Sequence, residues 1–257
     1  MTAAPAGHQA VIDRRLLWVF SFCLSIELSL VILDYLVNWN RWSQTGAIRR
    51  LFNITREDGL ASLFAVLQTF VVALVCWCIY LIHKSPLTGL RGSPLGWLSL
   101  AVFFTYLAID DGAMVHERIG TAFSSSNRDV KLPSYGWQVI LAPAFVLAGI
   151  LVFRFLWRLG AGEIRRDWLV YALACLGTAV GIDFIEGTEN GFRHVSDLTG
   201  LSVKTVSHFS KSIEEFIEML GMTFFLILFL RYLMIQTHYV TIVIANASVR
   251  MERTNRS

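Results

Sequence analysis

Six long apolar runs, separated by short polar segments, dominate the pattern of hydrophobic and polar positions along the chain. Each run is long enough to cross a bilayer, because a hydrocarbon core about 30 Å thick takes roughly 20 helical residues. The pattern therefore predicts an all-α, polytopic membrane protein: a bundle of about six transmembrane helices that forms a single domain over residues 1–257. The predicted spans cover residues 16–37, 59–82, 94–111, 137–158, 168–186 and 214–236.

An even number of spans places both termini on the same side of the membrane. Just over half of the 22 Lys and Arg residues fall on that side, in the shorter loops, so the positive-inside rule favours cytoplasmic termini in a cell membrane. A further apolar segment at 239–247 is too short to span. We expect it to lie at the membrane surface or to dock on another element.

The composition supports a membrane protein and excludes several other classes. Hydrophobic residues make up 55% of the chain and charged residues 16%, whereas soluble domains have about 45–50% apolar and about 25% charged residues. These values exclude a soluble enzyme and a disordered protein. All four cysteines lie inside apolar stretches, so a disulfide scaffold is also excluded. The net charge of +3 is spread over many loops, and we expect no nucleic-acid partner.

Two weak patterns concern how the spans pack. The three spans that run away from the terminal side end in a similar way, each with an aliphatic residue before Asp34, Asp110 or Asp183, and this repeat allows an arrangement of three helical hairpins. Gly177 and Gly181 form a GxxxG pattern in the fifth span. That pattern predicts a close approach between two helices.

Glu27 is the most informative single residue, because it lies in the middle of the first span. An ionised carboxylate at that depth costs about 3 kcal/mol on insertion scales, and such residues often mark a site or a proton path. Asp34 follows seven residues later on nearly the same helix face. The pair predicts a proton relay. The alternative is a structural, protonated Glu27 that is hydrogen-bonded to a neighbour such as Gln68.

Acidic residues concentrate on the side opposite to the termini, where His116 also lies. A histidine together with carboxylates is the ligand set of Zn²⁺, Mn²⁺ or Fe²⁺. His116 reaches the same centre as the neighbouring acids only if its helix unwinds, and Gly112 offers one place for this. The predicted metal ligands are Asp110, His116, Glu117, Asp183 and Glu218, with Glu57 or Glu186 as the catalytic base. The alternative is a set of solvated helix ends with ordinary ion pairs.

The spans thus predict carboxylates converging at one depth, where they cannot all stay ionised without cations. We expect a metal-dependent membrane enzyme that acts on a lipid or another amphiphile at the outer face, with the lipid bilayer, a lipid-like substrate and other membrane subunits as partners. Two alternatives remain open at this point. One is a proton- or cation-coupled transporter that uses Glu27 and Asp34, and the other is a structural or assembly subunit of a larger membrane complex.

Overall fold

The computed structural model describes residues 6–86, 93–126, 132–159, 164–188 and 190–254, and within these ranges the regular structure is entirely helical. Six helices are long and apolar enough to cross a membrane. The predicted helical membrane bundle with six spans is therefore confirmed. The membrane-spanning segments are Ala10–Trp39, Leu60–Lys84, Pro94–Ala113, Gly136–Arg158, Arg166–Glu186 and Val203–Thr237.

Short helices alternate with the long ones at one end of the bundle. Helices α2, α5 and α8 each follow a span that leaves the terminal end and precede one that returns, so all three lie at the opposite end, here called the acidic end. A π-helical turn, Tyr35–Trp39, prolongs α1 there. The helices are α1 Ala6–Asp34, α2 Gly46–Leu51, α3 Leu60–Lys84, α4 Pro94–Ala113, α5 Val115–Ser126, α6 Gly136–Arg158, α7 Arg166–Glu186, α8 Arg193–Thr199 and α9 Val203–Thr254.

Helix α9 is the most buried span and packs against α1, α3 and α7. Its residues Phe225, Leu228 and Phe229 are almost completely buried and join the main apolar core with side chains of α3, α4 and α7. Helix α3 also packs along α4, and α1 contacts α9 more extensively than it contacts α3. Of the three hairpins suggested by the sequence, the pair α7–α9 is closely packed, while the pair α1–α3 is not.

The last helix begins earlier than its hydropathy predicts. It starts at Val203 rather than at 214, and the Ser202 hydroxyl caps it by accepting a hydrogen bond from the backbone N–H of Thr205 at 3.1 Å. The backbone of residues 239–247 continues the same helix to Thr254. The early start matters for function, because it adds three helical turns at the acidic end.

Polar contacts also close the terminal end of the bundle. The guanidinium of Arg231, which is 5% exposed, lies 3.1 Å from Asp13 and ties the start of α1 to α9. The His83 ring nitrogen Nε2 lies 2.8 Å from the Tyr232 hydroxyl, and both rings pack on Trp97. The first contact joins the first and last spans, and the ring contacts join α3 and α4 to the last span at the same end.

The close approach between α7 and α9 occurs at a glycine other than the predicted pair. Among the described residues, no atom of another helix lies within 4 Å of a Cβ built on Gly177 or Gly181, so the contact predicted from the GxxxG pattern is wrong. A Cβ on Gly221 would instead lie 3.1 Å from Cys175 Cβ and 3.3 Å from the Ala172 carbonyl oxygen. The missing side chain of Gly221 is what lets α7 approach α9.

Candidate functional site

Nine carboxylates gather at the acidic end, contributed by the segment before α3 and by α4, α5, α7 and α9. Glu57 lies within electrostatic range of Glu117 and Asp183, and Glu218 lies within range of Glu57 and Asp183. The structure thus brings together acids that are far apart in the chain. The group comprises Glu57, Asp110, Asp111, Glu117, Asp183, Glu186, Glu214, Glu215 and Glu218.

Three of these carboxylates form the tightest group, here called the acidic triad: Asp183, Glu186 and Glu214. Asp183 and Glu186 lie one turn apart at the end of α7, and Glu214 faces them from α9. One oxygen of each side chain lies within 4.8 Å of the others, and all three residues are half-buried. This spacing suits a single divalent cation bound by oxygen ligands.

Gln138 at the start of α6 fixes the orientation of one triad carboxylate. Its Nε2 donates a hydrogen bond to Asp183 Oδ2 at 2.8 Å, and the residue is 3% exposed. Its carbonyl oxygen Oε1 is buried and has no hydrogen-bond partner among the described residues. A buried amide that holds a carboxylate in this way resembles the outer-shell partners of metal ligands.

Lys211 on α9 forms an ion pair with one carboxylate of the triad. Its Nζ lies 3.7 Å from Glu186 Oε2, while the Ser207 hydroxyl donates to Glu186 Oε1 at 2.7 Å. Lys211 is also within electrostatic range of Asp183 and Glu214. Glu186, predicted as a catalytic base, is therefore held among candidate metal ligands.

Asp110 and His116 are brought together by a break in the helix. Helix α4 ends at Ala113, and the next residue, Met114, has a φ of 51° in the left-handed region that most side chains avoid. The chain then turns, and Asp110 accepts hydrogen bonds from the backbone N–H of His116 and from its Nδ1, both at 2.9 Å. The predicted unwinding therefore occurs two residues beyond Gly112.

In this arrangement Asp110 is a partner of His116, whereas the sequence predicts it as a metal ligand in its own right. Asp110 is 2% exposed, and each of its oxygens is engaged by His116. The imidazole packs edge-on against Trp137, with the ring centroids 4.7 Å apart. Asp110 thus sets the tautomer and orientation of a histidine that lies within electrostatic range of Glu57 and Glu218.

Glu57 lies just before α3 and belongs electrostatically to the acidic group. The Glu57 side chain is exposed to solvent, but partial desolvation by the surrounding protein raises the pKa of its carboxyl. The nearby Glu117 carboxylate raises this pKa further, while His116 and Lys211 act in the opposite direction. Glu117 itself is exposed on α5. A carboxyl with a raised pKa beside an oriented histidine has the properties expected of an acid–base group.

Two arginines at the acidic end are engaged elsewhere. Arg50 pairs with Asp58, and Arg56 Nε lies 2.8 Å from Asp58 Oδ1. Hydrogen bonds from both guanidinium groups hold the pKa of the Asp58 carboxyl well below its usual range. All three side chains are exposed, Arg50 on α2 and the other two on the loop before α3, so this network leaves the charge of the acidic triad largely uncompensated.

Asp34 is buried at the end of α1, where it joins the acidic-end loop to α9. It accepts hydrogen bonds from Asn38 Nδ2 at 3.0 Å, His208 Nε2 at 3.0 Å, the Ile54 N–H at 3.4 Å and the Ser212 hydroxyl at 3.4 Å. Both of its oxygens are engaged. The geometry gives Asp34 the contacts of a structural anchor.

Glu27 makes a separate set of contacts at the middle of the bundle. Gln68 Nε2 donates to its Oε1 at 3.1 Å, and the Thr223 hydroxyl donates to the same oxygen at 2.6 Å. The contact with Gln68 is the one expected if Glu27 is a protonated, hydrogen-bonded residue. Neither set of contacts links Glu27 to Asp34 directly, and the proton relay stays a prediction.

The matched family model, described as "Domain of unknown function (DUF8692)", covers residues 17–232. The chain belongs to this family. The matched region covers the first membrane-spanning helix from Leu17, the next four completely and the last up to Tyr232, together with every carboxylate of the acidic end. No curated protein and no solved structure matches the chain. The family description gives no activity, substrate or partner, and the predicted roles as enzyme, transporter or subunit stay predictions.

The site predicted from the sequence does not include several of these residues, above all Lys211, Glu214 and Gln138. The signal for two of them is the spacing of Ser207, Lys211, Glu214 and Glu218, which places all four on one helix face. That spacing becomes visible only when the last helix is extended back to Val203. Gln138 carries no such signal, because it is a single amide at the start of an apolar span.

Proposed function

We propose that the protein is a metal-dependent membrane enzyme that acts on a lipid or another amphiphile at the acidic end. The observation that carries this proposal is the acidic triad, in which Asp183, Glu186 and Glu214 each bring one oxygen within 4.8 Å of the other two. Ligand atoms from two different helices at this spacing can surround one divalent cation.

The electrostatics of the acidic end favour a bound cation. Further carboxylates, among them Glu215 and Glu218, lie within electrostatic range of the triad or of each other, and Lys211 supplies a single positive charge against them. Like charges repel strongly in a partly desolvated site. A divalent cation relieves this repulsion, and an all-carboxylate set suits Mn²⁺, Mg²⁺ or Ca²⁺ more than Zn²⁺.

The residues around the triad fit acid–base chemistry on a bound substrate. A metal in the triad would polarise a carbonyl or phosphoryl oxygen or lower the pKa of a water molecule. Glu57, with its raised pKa, is suited to accept a proton, and His116 is oriented by Asp110 to donate or accept another. Glu186 is assigned to the ligand set.

The position of the site favours an amphiphilic substrate. The triad lies where α7 ends and where α9 runs into the membrane, close to the expected depth of lipid headgroups. Exposed apolar side chains of α6 and α7, such as Val139, Phe184 and Ile185, flank this level. This position suits a substrate whose polar headgroup lies at the level of the triad and whose acyl chain stays in the bilayer.

Metal content and turnover test the proposal. The full chain is purified in detergent, stripped with a chelator and reloaded with Mn²⁺, and metal per chain is measured by mass spectrometry. We expect about one tightly held Mn²⁺ per chain and a higher thermal midpoint, because metal binds only the folded site. Asp183→Asn and Glu214→Gln should lose both. Conversion of phospholipids and N-acyl amphiphiles in mixed micelles should require Mn²⁺.

The matched control is Asp197→Asn, which removes an exposed carboxylate from α8 at the same end of the bundle. It should leave the metal content and the thermal midpoint unchanged. Equal metal content in the control and in both triad variants would contradict the site. Binding of Mn²⁺ at the triad without turnover of any amphiphile would contradict the enzymatic function.

A further inference from the structure

A second polar site, formed by Glu27, Gln68 and Thr223, lies deep in the bundle and shares no residue with the acidic triad. Glu27 and Thr223 are 0% exposed and Gln68 is 5% exposed. The three side chains come from α1, α3 and α9, so the site lies where these helices meet. Apolar core residues such as Val72 and Met222 belong to the same region.

Within this site every side-chain N–H and O–H group donates a hydrogen bond, but two side-chain oxygens accept none. The Thr223 hydroxyl donates to Glu27 Oε1 at 2.6 Å, and Gln68 Nε2 donates to Glu27 Oε1 at 3.1 Å and to Thr223 Oγ1 at 2.6 Å. Glu27 Oε2 and Gln68 Oε1 are buried and have no partner among the described residues. Buried polar atoms normally have a partner, and a hydrogen-bond donor or a cation would supply one to these two oxygens.

We infer that Glu27, Gln68 and Thr223 bind one small monovalent cation, a proton or Na⁺, inside the membrane-spanning bundle. An uncompensated carboxylate at this depth is costly, and no ion pair with a basic side chain is present on Glu27 in the described part of the chain. A proton on Oε2 would turn this oxygen into a hydrogen-bond donor, and Gln68 Oε1 is an unpartnered acceptor of the same site. Na⁺ would use the same two oxygens together with the Thr223 hydroxyl oxygen, since hard cations prefer oxygen ligands.

The surroundings of the site make the carboxyl of Glu27 the group that takes the cation. The other titratable groups in electrostatic contact with it are two thiols, Cys23 on α1 and Cys175 on α7. Both are free cysteines. A change of charge at this site therefore centres on Glu27.

Carbodiimide labelling tests this inference on the full chain in detergent, with a chelator present so that divalent metals at the acidic triad play no part. Dicyclohexylcarbodiimide enters apolar sites and modifies protonated carboxyls, and peptide mass spectrometry locates the product. We expect labelling of Glu27 to rise several-fold from alkaline to acidic pH. If Na⁺ uses the site, NaCl suppresses that labelling at constant pH, whereas KCl at equal ionic strength does not.

Two variants, Thr223→Val and Glu27→Gln, show which cation binds and whether the labelling is specific to Glu27. Thr223→Val keeps the shape of the side chain but removes one oxygen, so about tenfold more Na⁺ should be needed for protection. Glu27→Gln should abolish the label on that peptide while carboxyls elsewhere react as before. Labelling that follows pH but does not respond to Na⁺ assigns the site to the proton.

Labelling of Glu27 that changes neither with pH nor with Na⁺ would overturn the inference. This measurement uses the unmodified protein, so its outcome holds even if a variant fails to fold. The outcome is also independent of the proposed enzyme, because the triad variants and the Glu27 experiment test different residues and different ligands.

Discussion

Asp34 allows a quantitative test of whether the acidic end is built on a buried anchor or on a proton path. Asp34→Ala removes a side chain that is 2% exposed and accepts four hydrogen bonds. The two contacts at 3.0 Å, with Asn38 and His208, are worth about 1.5 kcal/mol each, and the two longer ones about 0.5 kcal/mol each. The expected loss of unfolding free energy is about 4 kcal/mol, within the range for a broken buried ion pair.

The assay is reversible unfolding in mixed detergent and dodecyl sulfate micelles, followed by the fluorescence of the 8 tryptophans. Asp34→Asn keeps the volume and one acceptor oxygen, so it should cost about half as much as Asp34→Ala. Combining Asp34→Ala with His208→Ala should cost less than the sum of the two, because both remove the same contact. Asp197→Ala, an exposed control, should change the free energy of unfolding by less than about 0.5 kcal/mol.

A loss below about 0.5 kcal/mol in Asp34→Ala would refute the anchor, because surface substitutions have effects of that size. Additive effects of Asp34→Ala and His208→Ala would refute the proposed contact between them. Either result would return Asp34 to the relay role that its position on the face of Glu27 suggests.

Two further predictions concern pH and topology. In chelator-treated protein, the raised pKa of Glu57 means that the folded state binds the proton more tightly, so stability should fall as pH rises above the ordinary carboxyl range. Glu57→Gln should therefore raise the thermal midpoint at about pH 8 but not at about pH 4, and equal shifts at both would contradict this. In intact cells, an impermeant thiol reagent should reach a cysteine placed at Ser125 but not one at Gly162. The opposite pattern would reverse the predicted orientation.

The convergence of acids could be predicted because it follows from topology. Hydropathy defines six crossings, and alternate helix ends then lie on the same side, so Asp110, Asp183 and Glu218 are expected at one end before any contact is known. Glu27 could be singled out for a similar reason, since a mid-span carboxylate must find partners inside the bundle. Gln68 does provide one of them.

The detailed contacts depend on features that hydropathy does not carry. The pairing of Asp110 with His116 requires a left-handed backbone at Met114, a residue with no preference for that conformation. The start of α9 is polar, so its helical turns are invisible to a hydropathy window and Lys211 is missed. Likewise, α7 approaches α9 at Gly221 and not at the GxxxG pair. The sequence cannot predict this, because lipid-facing and buried glycines look alike in it.

Helix α9 constrains how this family can change its chain length during evolution. His208, Glu214, Thr223 and Arg231 project from one uninterrupted helix and serve the Asp34 anchor, the acidic triad, the Glu27 site and the ion pair at the terminal end. Inserting or deleting one residue would turn everything beyond it by about 100° and shift it by about 1.5 Å. Such a change would separate several of these sites at once, whereas a substitution affects them one at a time. Relatives should therefore vary in length within the loops and keep a constant residue count over 207–231.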